Sequence, residues 1–262
     1  SGSVSLSSDG SIVAIGAQGN DGVNGSGSGH VRIYQNVNDV WTQIGGDIDG
    51  EAAGDNSGKS VSLSSDGSVV AIGATQNDGN GTSSGHVRIY QNVNNTWTKI
   101  GDDLDGEATR DYFGFTPSLS ADGSIVAIGA PGHESVNRGH VRIFKNDNGT
   151  WTQIGSDIDG EGPWDNFGRS VSISSNGSIV AIGAYANDGN GEDSGHVRIY
   201  QNINNSWTKI GSDIDGEAEG DYSGYSVSLS ADGSVVAIGA ERNDGNGDES
   251  GHVRIYQNIN NS

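Results

Sequence analysis

The sequence has no cysteine and no methionine, only 3 prolines, and 13 basic residues against 34 acidic ones. Without cysteine there is no disulfide, no thiolate metal site and no cysteine nucleophile. The shortage of Lys and Arg leaves a formal net charge of −21. Such a surface repels phosphate backbones and anionic lipid, so nucleic acid is excluded as a partner. No run approaches the ~18 consecutive apolar residues of a spanning helix, so membrane insertion is excluded as well. The acidic surface suits solubility, high salt or divalent cations. Hydrophobic residues make up 32%, a level at which disorder has to be considered. Here they fall in short, evenly spaced runs, which argues against disorder. The start carries neither an initiator methionine nor a signal-peptide pattern, and the chain reads as a mature or excised piece of something longer.

What the sequence has in plenty is repetition and its 44 glycines. Gly-His-Val-Arg-Ile recurs at His30, His86, His140, His196 and His252, spaced 56, 54, 56 and 56 residues apart. Around it a whole unit recurs, with boundaries near 3–59, 60–115, 116–169, 170–225 and 226–262. A period of this size signals a repeat architecture.

Each unit reads as four strands. In the second copy, Ser60 to Ser64 alternates small polar with apolar residues, the pattern of a half-buried strand. Asp66-Gly67 then marks a hairpin. Val69 to Ala74 is continuously apolar, as expected of a strand covered on both faces. His86 to Tyr90 puts Val87 and Ile89 on one face and His86, Arg88 and Tyr90 on the other. Trp97 to Ile100 is the fourth strand, and the residues from Gly101 to Phe115 read as a long link. No window has a helical period. The expected fold is all-β: a β-propeller of four-stranded antiparallel blades forming a single domain over 1–262. A solenoid is the alternative, although solenoid repeats run to about 20–45 residues. The fifth copy stops before its Trp-Thr strand, so its blade is one strand short. That shortfall leaves open self-association through the incomplete fifth blade.

The third copy places Phe113-Gly114 before its first strand and Gly129-Ala130-Pro131 after its second; the fourth has Phe167-Gly168 and Gly183-Ala184. In these residues the chain resembles the FG-GAP repeats of integrin α-chain-like propellers. The resemblance implies an extracellular or cell-surface protein that serves adhesion and ligand recognition. The family's Ca²⁺ loop between first and second strands does not carry over, because Ser-Ser-Asp-Gly-Ser is too short to enclose a cation.

Metal ligands are sought instead in the loop after the second strand. Asp244, Asn246 and Asp248 have the D-x-N-x-D spacing that opens a calcium loop, and Asp188, Asn190 and Asp193 form a weaker version. Both lack the downstream bidentate Glu, and Asn/Asp/Gly turn chemistry explains them equally well. Ca²⁺ is the one cofactor these loops suggest. Arg32, Arg88, Arg142, Arg198 and Arg254 recur in a strand that should be covered, so each needs an acidic partner. The DIDGE link supplies four acids per copy: Asp47, Asp49, Glu51 and Asp55, or Asp213, Asp215, Glu217 and Asp221. The repeated His is expected to be structural.

Trp41, Trp97, Trp151 and Trp207 recur on the fourth strand and suit packing between blades. Trp164 stands outside the repeat, in a loop, as a contact for a ligand; His133 also departs from it. Sequons at Asn24, Asn80, Asn94, Asn148, Asn176, Asn204 and Asn260 are glycosylation candidates if the protein is secreted. Near-identical repeats offer no asymmetric catalytic constellation, and the chain is expected not to be an enzyme. The favoured reading is an adhesion or scaffold module that presents loops to protein or glycan on a cell surface or in extracellular matrix. The alternative is a multivalent lectin with sugars stacked on the repeated aromatics. A consensus-like artificial repeat fits less well, since Pro117 and Pro131 make the third copy irregular.

Overall fold

The computed structural model describes residues 2–132 and 137–258. Among these every named element is a β-strand. The first sheet holds β1 (Val4–Leu6), β2 (Ile12–Ala17), β3 (His30–Val37) and β4 (Val40–Gln43), with β5 (Ile48–Asp49) also on β3. The second holds β6 (Ser60–Leu63), β7 (Val69–Ala74), β8 (His86–Val93), β9 (Thr96–Lys99) and β10 (Leu104–Asp105). The third repeats this as β11 (Thr116–Leu119), β12 (Ile125–Ala130), β13 (His140–Asp147), β14 (Thr150–Gln153) and β15 (Ile158–Asp159). The fourth has β16 (Ser170–Ile173), β17 (Ile179–Ala184), β18 (His196–Ile203) and β19 (Ser206–Asp215). Among the described residues the fifth has β20 (Ser223–Leu229), β21 (Val235–Ala240) and β22 (His252–Gln257), in that order.

Each sheet is an antiparallel meander in which sequential strands pair. In the fourth, Val171 faces Ile182, Ile182 faces Arg198, and Asn202 faces Trp207. The first hairpin is not a two-residue turn. Asp66 Oδ1 accepts the Ser68 amide and the Ser64 hydroxyl, and Ser64 Oγ in turn accepts the Val69 amide. Gly67, at φ 70°, turns the chain where a side chain would be strained. The same contacts hold Asp9 and Asp232, whose carboxyls sit at about 2 because hydroxyl and amide donors favour the charged form. Serine hydroxyls and backbone amides thus engage these carboxylates.

The DIDG stretch, expected to be link, is partly strand. Ile48–Asp49 returns to pair with Val31 and His30, and in the fourth sheet β19 runs unbroken through the same positions. Two residues are too short to show a period in the sequence. With each split fourth strand counted once, the described residues hold the nineteen strands read from the repeats.

The chain forms two compact units, Ser1–Val126 with Phe144–Thr152, and Ala127–Ile143 with Gln153–Ser262. In the first, Val31, Ile33, Ile48, Leu63, Val70 and Ile72 make one buried cluster, against which Ile44, Tyr90 and Trp97 pack. Each fully buried Ile contributes roughly 1.5–3 kcal/mol. In the second, Val197, Val236 and Ile238 are the buried counterparts, joined by Ile199, Ile214 and Tyr256. Successive copies approach closely. A Cβ on Gly73 would lie 2.1 Å from the Gly114 carbonyl, and one on Gly183 would lie 2.1 Å from that of Gly224. Only glycine permits backbones to meet at that distance, which accounts for the glycine before the last residue of β7 and of β17.

Candidate binding surface

The repeated polar residues of β8, β18 and β22 face the link of the copy before them. Arg88 donates to the Asp49 carbonyl (2.7 Å) and lies 3.4 Å from a Glu51 oxygen. Arg254 repeats this with the Asp215 carbonyl (2.6 Å) and Glu217 (3.4 Å). Arg198 is paired with both Glu161 and Asp213. The Arg198 hydrogen bond, with help from Lys209, holds the Asp213 carboxyl well below the usual carboxylate range. Arg32 pairs within its own copy, on Asp47 at 2.9 Å, and Arg142 is buried.

The repeated histidines lie beside these pairs. Burial, reinforced by the Arg88 charge, pushes His86 down to about 4, so its imidazole is neutral at pH 7. His196 is lowered for the same two reasons. Among the described residues, two groups could geometrically hold a metal ion: Glu51, His86 and Asp103, and Glu161, His196 and Asp213. In the second group Arg198 engages both carboxylates and Lys209 engages Asp213. In the first, Arg88 engages Glu51 and Lys99 engages Asp103.

None of the six loop residues read as calcium ligands belongs to these groups. Asp188 Oδ1 accepts the Asp193 amide, and Asp244 Oδ1 accepts that of Glu249. Asn190 turns its amide inward, to the Gly216 and Glu217 carbonyls, while its backbone N–H donates to Ser194 Oγ. Asn246 donates likewise to Ser250 Oγ, and Asp248 is exposed. These bonds fold the loop onto the link of its own copy.

The link itself is tied to the next copy by a buried Asp. Asp55, Asp165 and Asp221 each accept a nearby link amide, and each also accepts an Asn side chain 22 residues on, from Asn77, Asn187 and Asn243. The residue just before this Asp has a left-handed backbone in every link: Gly54, Arg110, Trp164 and Gly220, with φ between 65° and 88°. Glycine takes that conformation freely, whereas other residues give up about 1–2 kcal/mol. Trp164 carries the strain with its ring 58% exposed. Asn166 donates to its carbonyl at 2.6 Å, so the loop holds the indole outward on a fixed backbone. Around the link tips lie the variable loops. A Cβ on Gly25, Gly81 or Gly191 would touch Ala53, Thr109 or Glu219 respectively.

Trp97, Trp151 and Trp207 are half-buried, and each indole N–H donates to a carbonyl of the preceding copy: Ile44, Ile100 and Ile154, all at 2.9 Å. They pack between copies, and the geometry builds no sugar platform from them. Trp41 is 46% exposed. Of the sequons, Asn24 and Asn80 spend their amides on the Gly50 and Gly106 carbonyls. Asn176 accepts from Ser174 and Ser178, while Asn94, Asn148 and Asn204 stand exposed at turn tips. Asn260 and His133 lie outside the described residues.

The FG-GAP repeat family matches residues 158–200 and 213–256. Over these residues the chain carries FG-GAP repeats. Solved structures place the fold among β-propellers. The periplasmic gluconolactonase PpgL of Pseudomonas aeruginosa aligns over 90% of this chain with a TM-score of 0.60 and 14% identity. A protein of Bacteroides fragilis assigned as a 6-phosphogluconolactonase aligns over 81%, with a TM-score of 0.55 and 17% identity. The chain spans 64% and 54% of these two proteins. No curated protein sequence matches it. The neighbours correct the expectation that the chain is not an enzyme. That expectation rested on the symmetry of the repeats, yet propellers of this fold include lactonases. A four-stranded meander constrains its interior while its loops remain free to carry chemistry.

Sequence reasoning missed the Asp165–Asn187 type of bond and the left-handed position beneath Trp164. The Asn-Asp-Gly of each loop and the Asp of each link were visible, but nothing in the spacing says that they meet.

Proposed function

We propose that this FG-GAP propeller is an extracellular or cell-surface binding module whose loops engage protein or glycan partners, with Trp164 as an anchor. One observation carries the reading: a tryptophan with a strained backbone and an exposed ring, on a loop fixed by the buried Asp165. A strained, exposed aromatic gains the fold nothing, and strain of this kind marks contact sites. Rigid aromatics lose little entropy on binding, which makes them effective anchors. The acidic surface around it favours partners with positive or neutral faces.

Arrays of glycans and of extracellular-matrix proteins test the proposal. A binder should lose at least tenfold in affinity to Trp164→Ala while the melting temperature stays put or rises. Binding that is indifferent to Trp164→Ala would overturn it. An assay with gluconolactone belongs in the same series, since turnover of that substrate would replace binding by catalysis as the main activity.

A further inference from the structure

Five residues that vary between copies converge in the fourth and fifth: Arg169, Tyr185, Tyr222, Tyr225 and Arg242. Arg169 directly precedes β16, and Tyr185 directly follows β17. The Tyr185 ring meets Tyr222 and Tyr225 edge to face, at centroid distances of 5.3 and 5.5 Å. The Arg169 guanidinium lies 4.9 Å from the Tyr225 centroid and 5.9 Å from that of Tyr185, and it donates to the Tyr225 hydroxyl at 2.9 Å. Arg242 lies 4.5 Å from the Tyr222 centroid. The three rings and two guanidiniums make one continuous cluster.

Packing between copies explains only part of it. At the positions of Arg169 and Tyr225, the second and third copies set Lys59 over Phe115, 5.6 Å from the centroid. A cation on a ring is therefore a junction feature there. Thr75 and Gln76 stand in the second copy where Tyr185 and Arg242 stand in theirs, so the repeat folds without an aromatic or a cation at either position. Tyr222 holds φ at 56°, a conformation that Asn56 and Asn166 keep in the first and third links with less strain. The cluster is open to solvent. All three tyrosines are half-buried, and the Arg242 side chain is 48% exposed, with a loose pairing to Glu249 at 3.8 Å. Interior copies show the same exposure, since Tyr112 and Phe115 are half-buried and Gln76 is exposed.

We propose that these five residues bind a saccharide carrying a single carboxylate, a uronic acid unit in an otherwise neutral oligosaccharide. A guanidinium stacked by its face on a ring keeps its in-plane N–H donors, and a carboxylate accepts two of them side by side. Each tyrosine gives an apolar body with a polar tip, which suits the C–H face and the hydroxyls of a pyranose. Charge sets the rest of the specificity. A chain with a net charge of −21 repels a dense polyanion. One isolated carboxylate instead feels chiefly the two cations within the ~8 Å screening length. On Arg242 it takes the place of Glu249. Trp164 makes none of these contacts, so the assignment holds whether or not Trp164 is an anchor.

The full chain is titrated by calorimetry with a neutral glucose trisaccharide and with the analogue in which glucuronic acid replaces one glucose. The acidic probe should bind one-to-one and at least tenfold more tightly than the neutral one. Variants borrowed from the second copy spare the fold: Arg242→Gln follows Gln76, and Tyr185→Thr follows Thr75. Each should weaken the acidic probe at least tenfold, while Trp164→Ala should leave it within twofold. No binding, equal binding of the two probes, or binding indifferent to Arg242→Gln overturns the proposal. A loss with Trp164→Ala as large as that with Tyr185→Thr overturns it too, by moving the sugar to the Trp164 loop. So does a capped Gly-Glu-Gly peptide that binds as tightly as the acidic sugar, because the ligand would then be an acidic peptide.

Discussion

Strands β7 and β2 carry VVAIGA and IVAIGA and live in different surroundings. Every residue of β7 is buried, whereas Ile15 in β2 is 39% exposed and Ile12 and Val13 are only partly covered. The third strands repeat the contrast: β8 opens with four buried residues, while β22 alternates exposed and half-covered ones. One repeat sequence therefore does not fix one burial. It encodes a sheet with two apolar faces, and the neighbouring copy decides whether those faces leave water. Stability should lie in the junctions between copies, and the sharpest test sets Ile72→Ala beside Ile15→Ala. Ile72 is fully buried, and its truncation should cost about 3–4 kcal/mol through lost transfer energy and a cavity. Ile15→Ala should cost about 1 kcal/mol. Urea unfolding midpoints measure both, and equal losses would break the comparison.

A second effect comes from proton binding at the interior junction. His86 is held at about 4 by burial and by Arg88, with Glu51, Asp103, Asp55 and Lys99 nearby. Its unfolded value is 6.5. Between these two values the unfolded chain binds the extra proton, so stability falls as pH drops from about 6.5 to about 4 and is flat above that window. Roughly 3 kcal/mol should be lost across it. The His86→Gln variant should show a shallower slope in melting temperature against pH over the same interval. An unchanged slope would mean that the imidazole is not the group responsible.

The architecture was legible because each copy repeats the same four patterns, and repetition turns weak local signals into strong ones. Asp66-Gly67, the apolar Val69–Ala74 run and the alternating His86–Tyr90 strand all stand where the patterns put them. The two-residue strands were not legible, since Ile48–Asp49 pairs because the chain bends back, and its own sequence gives no hint of this. The site was read less well. The exposed Trp164 was visible as a departure from the repeat. Its backbone conformation and the buried Asp165 beneath it depend on Asn187, in the next copy.

Charge sharpens the same contrast. The Arg198 side chain is 6% exposed and bridges Glu161 and Asp213. The Arg32 side chain is 45% exposed and pairs with Asp47 of its own copy. Arg198→Met should destabilise by about 1.5 kcal/mol, below the range for a fully buried pair because both carboxylates can regain water. Arg32→Met should fall within about 0.5 kcal/mol of zero. A loss at Arg32 as large as that at Arg198 would show that the pairing within one copy matters as much as the pairing between copies.

The smallest difference should appear at the indoles. Trp151 donates to the Ile100 carbonyl across a junction, while Trp41 is 46% exposed. Phenylalanine keeps most of the ring and removes the donor. Trp151→Phe should therefore cost about 1 kcal/mol, the net worth of one hydrogen bond together with the partner left behind. Trp41→Phe should leave the midpoint within error. If both variants unfold at the same denaturant concentration, the indole N–H contributes nothing to the junction and the ring alone holds the copies together.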